Sequence, residues 1–273
     1  MAYPPATWRL ILEPQPRPGM LNLAIDEAIL RAVAEGKAPP TLRLYGWSPP
    51  ALTLGRGQPY ADADVRALQR DGIALLRRMT GGTAVLNREE LTYAVAARHD
   101  DPRLSGSIAE SYRGISEGLV RALHGLGVTE ADASGREPGE RPSRAARTPV
   151  CFELPSDYEV TVEGRKVVGN SQMRVRGGIF QHGSLPLTGD MGDIGRYLTS
   201  HPSPARVRAV AMTLQEALGR TATWEEVADA VVAAFRVTLN LTLVPSPLTT
   251  GERQRVEALV GEKYGSEAWT RRL

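Results

Sequence analysis

Cys151 is the residue in this sequence best suited to covalent chemistry, because it is the only thiol. It stands in "CFELPSDYEVTVEGRKVVGNSQ", with Lys166 on the second arm of a hairpin that follows. A free thiol titrates near roughly 8.5, so a neighbouring ammonium increases the thiolate fraction at neutral pH. The plainer reading also stands, since a lone cysteine is more often a small buried hydrophobe and a lone strand lysine is usually solvated. A second stretch, "RRMTGGTAVL" (77–86), sets Arg77 and Arg78 ahead of Thr80, Gly81, Gly82 and Thr83. Its glycines read as a hairpin or bulge, where positive φ costs little. They read equally as a loop whose exposed N–H groups receive an oxygen-rich or carbonyl-bearing ligand. His182, in "FQHGS", is either a hydrogen-bonded structural imidazole or part of a site. Asp26 and Glu27 fall on the polar side of a helix and read as solvated or capping groups. Tyr45 and Trp47 suit a pocket lining or a core.

Other chemistries lack their residues. No G-x-x-x-x-G-K-[ST] phosphate loop, G-x-G-x-x-G fingerprint, C-x-x-C or H-E-x-x-H is present. The four histidines, His99, His124, His182 and His201, are scattered. No bound metal and no cofactor is expected.

The elements that must position these residues alternate between strands and helices. "GMLNLAIDEAILRAVAEG" (19–36) carries apolar residues at 21, 24, 25, 28, 29, 32 and 33, a full helical stripe. Strands are expected at 41–45, 51–54, 73–76, 83–86 and 91–96, and a helix at 107–126. Residues 131–148 hold almost no large apolar side chains and read as a mobile loop. "DYEVTV", "EG" and "RKVVG" (157–169) form a two-residue hairpin pattern, and 178–187 a further strand. Helices follow at 205–218, 223–239 and 251–261. The pattern implies an α+β fold, a mixed and largely antiparallel sheet covered by helices. One domain is expected over residues 1–247, with 248–273 a short helical segment packed on it.

The chain has 273 residues, 42% hydrophobic and 23% charged, which is ordinary for a globular protein with an ample core. One cysteine excludes an internal disulfide and fits a reducing compartment. The N-terminal "LIL" is too short for a signal peptide's apolar core, and no stretch is long enough to span a bilayer. A cytoplasmic protein is expected. With net charge +2 and no Lys/Arg tract interleaved with aromatics, neither a nucleic acid nor a membrane is an expected partner.

Six segments taken together, "LNLAIDEAIL", "YGWSPPALTLGRGQ", "RRMTGGTAVL", "ELTYAV", "CFELPSDYEVTVEGRKVVGNSQ" and "GIFQHGSLPL", resemble the lipoate- and octanoyl-transferase family, relatives of biotin protein ligases. The resemblance runs from about residue 20 to 270. It is nearest to the cysteine-dependent octanoyltransferases, in which a cysteine precedes F-x-x-P-S-x-Y-E and a G-R-K-V-x-G strand follows. It implies a biotin/lipoate ligase-like catalytic domain in which Cys151 carries an octanoyl thioester and Lys166 tunes it. It implies substrate binding by Arg77, Arg78, Thr80, Gly81, Gly82, Thr83, Gly169, His182 and Gly183. The implied donor is octanoyl-acyl carrier protein. The implied acceptor is a lysine of an apo lipoyl domain, on a glycine cleavage H protein or a 2-oxoacid dehydrogenase subunit. Thr83, Asn87 and "GNSQ" stand where relatives commonly carry Arg, His and "GSAQ".

Three other readings share these motifs. An ATP-dependent lipoate–protein ligase needs a nucleotide site and no nucleophilic cysteine. An amidotransferase moves octanoyl groups between lipoyl domains and also uses a cysteine. A non-catalytic binding protein keeps the tunnel and loses the chemistry.

Overall fold

The helix expected at residues 19–36 runs over Gly19–Ala34 (α1), and around it the chain builds a single large sheet. The computed structural model describes residues 3–133, 149–153 and 158–273. The loop expected at 131–148 therefore lies, from residue 134 onward, outside the described residues. Its first two residues form a short strand, β7 (Ala131–Asp132).

In chain order the sheet strands are β1 (Ala6–Arg17), β2 (Thr41–Trp47), β3 (Ala51–Leu54), β4 (Ala74–Arg77), β5 (Val85–Asn87), β6 (Glu90–Arg98), β7, β8 (Val160–Val162), β9 (Arg165–Val175), β10 (Gly178–Pro186) and β11 (Leu241–Pro245). The helices after α1 are α2 (Val65–Arg70), α3 (Ile108–Leu126), α4 (Pro204–Val210), α5 (Leu214–Leu218), α6 (Trp224–Thr238), α7 (Thr250–Leu259) and α8 (Glu267–Thr270). Eight strands pair in the order β11-β1-β2-β6-β10-β9-β8-β7, and three more in the order β4-β3-β5. The β11–β1, β1–β2 and β3–β4 pairs are parallel and the others antiparallel. The mixed, largely antiparallel sheet under helices is the architecture expected.

Strand alternation decides which helices cover which face. Leu42 and Leu44 of β2 and Tyr93 and Val95 of β6 point to α3 and α6, joining Ile115, Leu119, Val231 and Phe235 in one core. The intervening Tyr45, Trp47, Ala94 and Ala96 point the other way, to α1. The small sheet has its own core, with Leu52, Leu54, Val150, Phe152, Ile194 and Val207, and Cys151 belongs to it.

Some boundaries differ from expectation for local reasons. The 205–218 helix breaks into α4 and α5, because Thr213 and Glu216 form a capping box and Met212 N donates to Lys166 O. The strand expected at 83–86 starts at Val85, since the Thr83 carbonyl accepts from Arg78 and Ala84 pairs with Pro149 and Cys151. The 157–169 hairpin turns on Glu163 and Gly164, both at positive φ, as a primed two-residue turn requires.

The C-terminal helices pack on α1 and β4. Arg9 makes a buried two-point bond to Glu252 at 2.7 and 2.6 Å, and Trp269 Nε1 donates to Arg77 O at 2.8 Å.

Candidate active site around Cys151

The Thr-Gly-Gly loop is held from beneath by Arg78. Its guanidinium is buried and donates to Thr53 O at 3.0 Å, Gly81 O at 2.7 Å and Thr83 O at 2.8 Å. Ser171 Oγ donates to Gly81 O from the β9 side. Gly82 has φ +82, and Gly55 lies so close that a Cβ there would stand 1.8 Å from Gly82 O. Both glycines are therefore needed for the loop to close.

Cys151 opens a 3-10 turn, Cys151–Glu153, and docks beside that loop. Ala84 N donates to Pro149 O at 2.9 Å and Cys151 N to Ala84 O at 3.0 Å. The thiol is free and 6% exposed. A Cβ on Gly82 would lie 2.9 Å from Arg78 Nη2 and 3.7 Å from Cys151 Sγ, so loop, guanidinium and sulfur converge there. Among the described residues Arg78 bonds only main-chain carbonyls and no carboxylate, leaving its charge directed at the sulfur. Burial, and then the field of Cys151, raise the Tyr112 phenol's pKa.

Lys166 also reaches this turn, but through the backbone. Its Nζ donates to Cys151 O at 3.3 Å and pairs with Glu159 Oε1 at 2.5 Å.

His182 is buried and shares a 2.8 Å hydrogen bond with Thr80 Oγ1. Its Nδ1 lies 3.8 Å from Asp26 Oδ2. Burial lowers the imidazole's pKa and Asp26 opposes it only in part, so His182 is neutral at pH 7. The expectation that Asp26 and Glu27 are solvated or capping groups is corrected. Both are buried, because α1 is covered on its polar side too. Asp26 accepts from Arg43 at 2.6 Å and Tyr45 OH at 2.7 Å, and Glu27 from Lys263 and Tyr264, each at 2.6 Å.

A cavity of about 30 Å³ opens on Cys151, between Leu23, Trp47 and Val85 on one side and Gly169, Asn170, Ser171, His182 and Gly183 on the other. That is about the share of one water in the liquid. A second cavity, also about 30 Å³, lies between Leu86, Val150, Phe152, Met191, Ile194 and Val207. Phe152 packs against Gly169, where a Cβ would meet its ring at 3.0 Å. The wall of the Cys151 cavity is polar at Asn87, Thr92 and Ser184, which all donate to the buried Glu90, Thr92 with a short bond. Burial pushes the Glu90 carboxyl up to about 7 against those donors.

The structure thus gathers Cys151, Arg78, Gly169, His182 and Gly183 at one cavity, with Gly82, Lys166, Thr80 and Gly81 one contact behind. The buried hydroxyl of Thr83 has no hydrogen-bond partner among the described residues. Arg77 is not among them. β-Alternation turns it to the opposite face, where it donates to Gly55 O, Gln58 O and Thr270 O and ties the C-terminus to the 55–58 loop. Sequence reasoning missed Gly55, Glu159 and Glu90. Gly55 had a signal in "LGRGQ", whereas the two carboxylates sit in strand-like segments that give no sign of burial. Among the described residues, no cluster of His, Cys, Asp or Glu could hold a metal ion, and no helix is long and apolar enough to cross a membrane.

The chain is similar to known proteins over nearly its whole length. An octanoyltransferase LipM of Symbiobacterium thermophilum is 41% identical, covering 97% of this chain and 98% of that protein. One of Moorella thermoacetica is 40% identical, covering 98% and 99%. Among solved structures, a lipoate-protein ligase A bound with ATP superposes with TM-score 0.80 at 25% identity, over 97% of this chain and 99% of that one. The bi-partite lipoate protein ligase of Thermoplasma acidophilum, studied with its E2 lipoyl domain, has TM-score 0.77 at 22% identity, over 98% and 97%. Residues 18–236 match the family described as the lipoyl protein ligase A/B catalytic domain. The chain belongs to that family.

Proposed function

We propose that this protein is an octanoyltransferase that takes an octanoyl group from octanoyl-acyl carrier protein onto Cys151 and passes it to a lysine of an apo lipoyl domain. The relatives at 40–41% identity over nearly the whole chain are octanoyltransferases, which supports the acyl group and the reaction class. The observation that carries the covalent route is the lone thiol set beside a buried guanidinium that has no carboxylate partner among the described residues.

The Cys151 thiolate attacks the carbonyl carbon of the donor thioester. The new C–S bond forms, the old one breaks, and the carrier leaves as a thiol once protonated. The lysine amine of the lipoyl domain then attacks the same carbon. A C–N bond forms, the Cys151 C–S bond breaks, and the amine's proton returns to the sulfur side. Two thioester-level steps replace one slow transfer, and no nucleotide is needed because the donor is already activated. Arg78 holds the loop against the reacting centre. Lys166 fixes the Cys151 carbonyl and thereby the turn that carries the thiol. A reduced thiol and a carrier-protein donor both suit the cytoplasm.

Beyond its carbonyl an octanoyl chain has seven carbons, worth about 5 kcal/mol when buried at roughly 0.8 each. The cavity lined by Phe152 and the Cys151 cavity beyond Gly169 supply space for it once that ring swings away from Gly169. The test is transfer from octanoyl-acyl carrier protein to an apo lipoyl domain, with and without ATP and Mg²⁺. Transfer without nucleotide is expected, and a strict ATP requirement would move the assignment to a ligase.

A further inference from the structure

Asn170 lines the Cys151 cavity, and its amide nitrogen is buried with no hydrogen-bond partner among the described residues. A donor left in that condition is costly unless something else accepts from it. Its carboxamide is also not free to turn over. Arg174 Nε donates to Gln172 Oε1 at 3.1 Å, and a guanidinium cannot accept. Gln172 Nε2 must then face Gln181 Oε1, at 3.2 Å. Gln181 Nε2 in turn donates to Tyr93 OH at 2.9 Å, and the phenol passes its hydrogen to Asn170 Oδ1 at 2.6 Å. Every member of this chain has its direction set by the one before. The last consequence is that the Asn170 oxygen is turned to Tyr93, which leaves Nδ2 as the group without a partner.

Gly183 is part of the same device. It pairs with Asn170 across β9 and β10, and a Cβ there would stand 2.3 Å from Asn170 Oδ1 and 2.4 Å from the Tyr93 ring. Only glycine lets the phenol and the carboxamide meet.

We propose that Asn170 Nδ2 is the donor that stabilises the acyl oxygen when the carbonyl carbon bonded to Cys151 Sγ becomes tetrahedral. This rests on the thioester reading of Cys151. In each of the two transfers the attacking atom pushes the C=O electron pair onto oxygen, and expulsion of the leaving sulfur returns it. One fixed donor therefore serves both steps. The amide of the nucleophile, a common second choice for such a donor, is already committed, since Cys151 N donates to Ala84 O. The Lys166 ammonium is engaged at Cys151 O and Glu159.

The test compares two reactions of the same thiol. Iodoacetamide alkylation displaces iodide at a saturated carbon and forms no oxyanion, whereas acylation by octanoyl-pantetheine forms one. Asn170→Ala should acylate about 100-fold more slowly, the loss typical of one oxyanion donor, while alkylating within about twofold of wild type. Asn170→Ser keeps a shorter donor and should acylate faster than Asn170→Ala. Tyr93→Phe leaves the carboxamide free to turn and should slow acylation, again sparing alkylation. Unchanged acylation in Asn170→Ala would overturn the assignment, and so would acylation and alkylation falling together, which marks a structural role. A wild-type protein that alkylates at Cys151 yet never gains the octanoyl mass would overturn the thioester reading itself, and this inference with it.

Discussion

Lys166 meets Cys151 at its main-chain oxygen, 3.3 Å away, while Glu159 holds the same ammonium at 2.5 Å. A lysine that acted on the thiol by charge alone would be weakened by so close a carboxylate. The contact with the carbonyl instead fixes the turn on which the thiol sits. Lys166→Ala should therefore lose most acylation, and raising the pH should restore little of it. Removing the ammonium also takes that cation from Glu159, which costs about 3 kcal/mol of stability for a mostly buried pair. Thermal unfolding of Lys166→Ala against Lys166→Ala/Glu159→Gln checks this, with the double variant the more stable. Full rescue of acylation at high pH would show that Lys166 works by charge.

Gly82 stands between Arg78 and the thiol. Gly82→Ala places a methyl 2.9 Å from Arg78 Nη2 on a residue at φ +82. The strained backbone costs about 1–2 kcal/mol, and the displaced guanidinium no longer faces the sulfur. Acylation should fall at least about tenfold, the rate equivalent of roughly 1.4 kcal/mol, in a protein that still folds. Circular dichroism and the rate of mass gain separate the two effects.

Glu90 makes stability depend on pH. Burial raises its folded pKa to about 7, above the ordinary carboxyl value of 4.5. The folded state thus binds the proton more tightly than the unfolded chain. This contribution is complete below pH 4.5 and is lost as pH rises through about 7. It is worth up to about 3 kcal/mol. Glu90→Gln should flatten the decline, because Gln Oε1 keeps the Asn87 and Thr92 bonds and the amide can donate to Ser184. Urea unfolding at about pH 5 and about pH 8.5 measures it, and an unchanged slope in Glu90→Gln would assign the decline to other groups.

Chain length should be read by the walls around Phe152. Octanoyl donors should exceed butanoyl donors, which bury less surface, and dodecanoyl donors, which must force the packing. Phe152→Ala joins the two cavities and should shift preference towards dodecanoyl. The ratio of kcat/KM values across the three donors is the measurement, and equal values would remove the selectivity argument.

Periodicity made α1, α3, α6 and the β8–β9 hairpin legible, since each has one apolar stripe or one diagnostic turn. It did not reveal β1, which carries Pro14 and Pro16. Prolines are tolerated there because β11 ends at Pro245, opposite Leu10, and leaves that edge of β1 without a strand partner among the described residues. The site was legible at Cys151, Lys166, Gly82 and His182, whose residue types suggest chemistry by themselves. Arg77 and Arg78 look alike in sequence, and only the alternation of β4 separates a scaffold arginine from one that faces the thiol. Asn170 drew notice only as a departure in "GNSQ". Its orientation comes from a hydrogen-bond chain through Tyr93, Gln181, Gln172 and Arg174, drawn from three strands.

The most direct test of the covalent route is the intact mass of the protein after incubation with octanoyl-acyl carrier protein. The account predicts one added octanoyl group, removed by hydroxylamine as a thioester would be and absent from Cys151→Ala, which also fails to modify an apo lipoyl domain. A Cys151→Ala protein that still transfers octanoyl groups would contradict it.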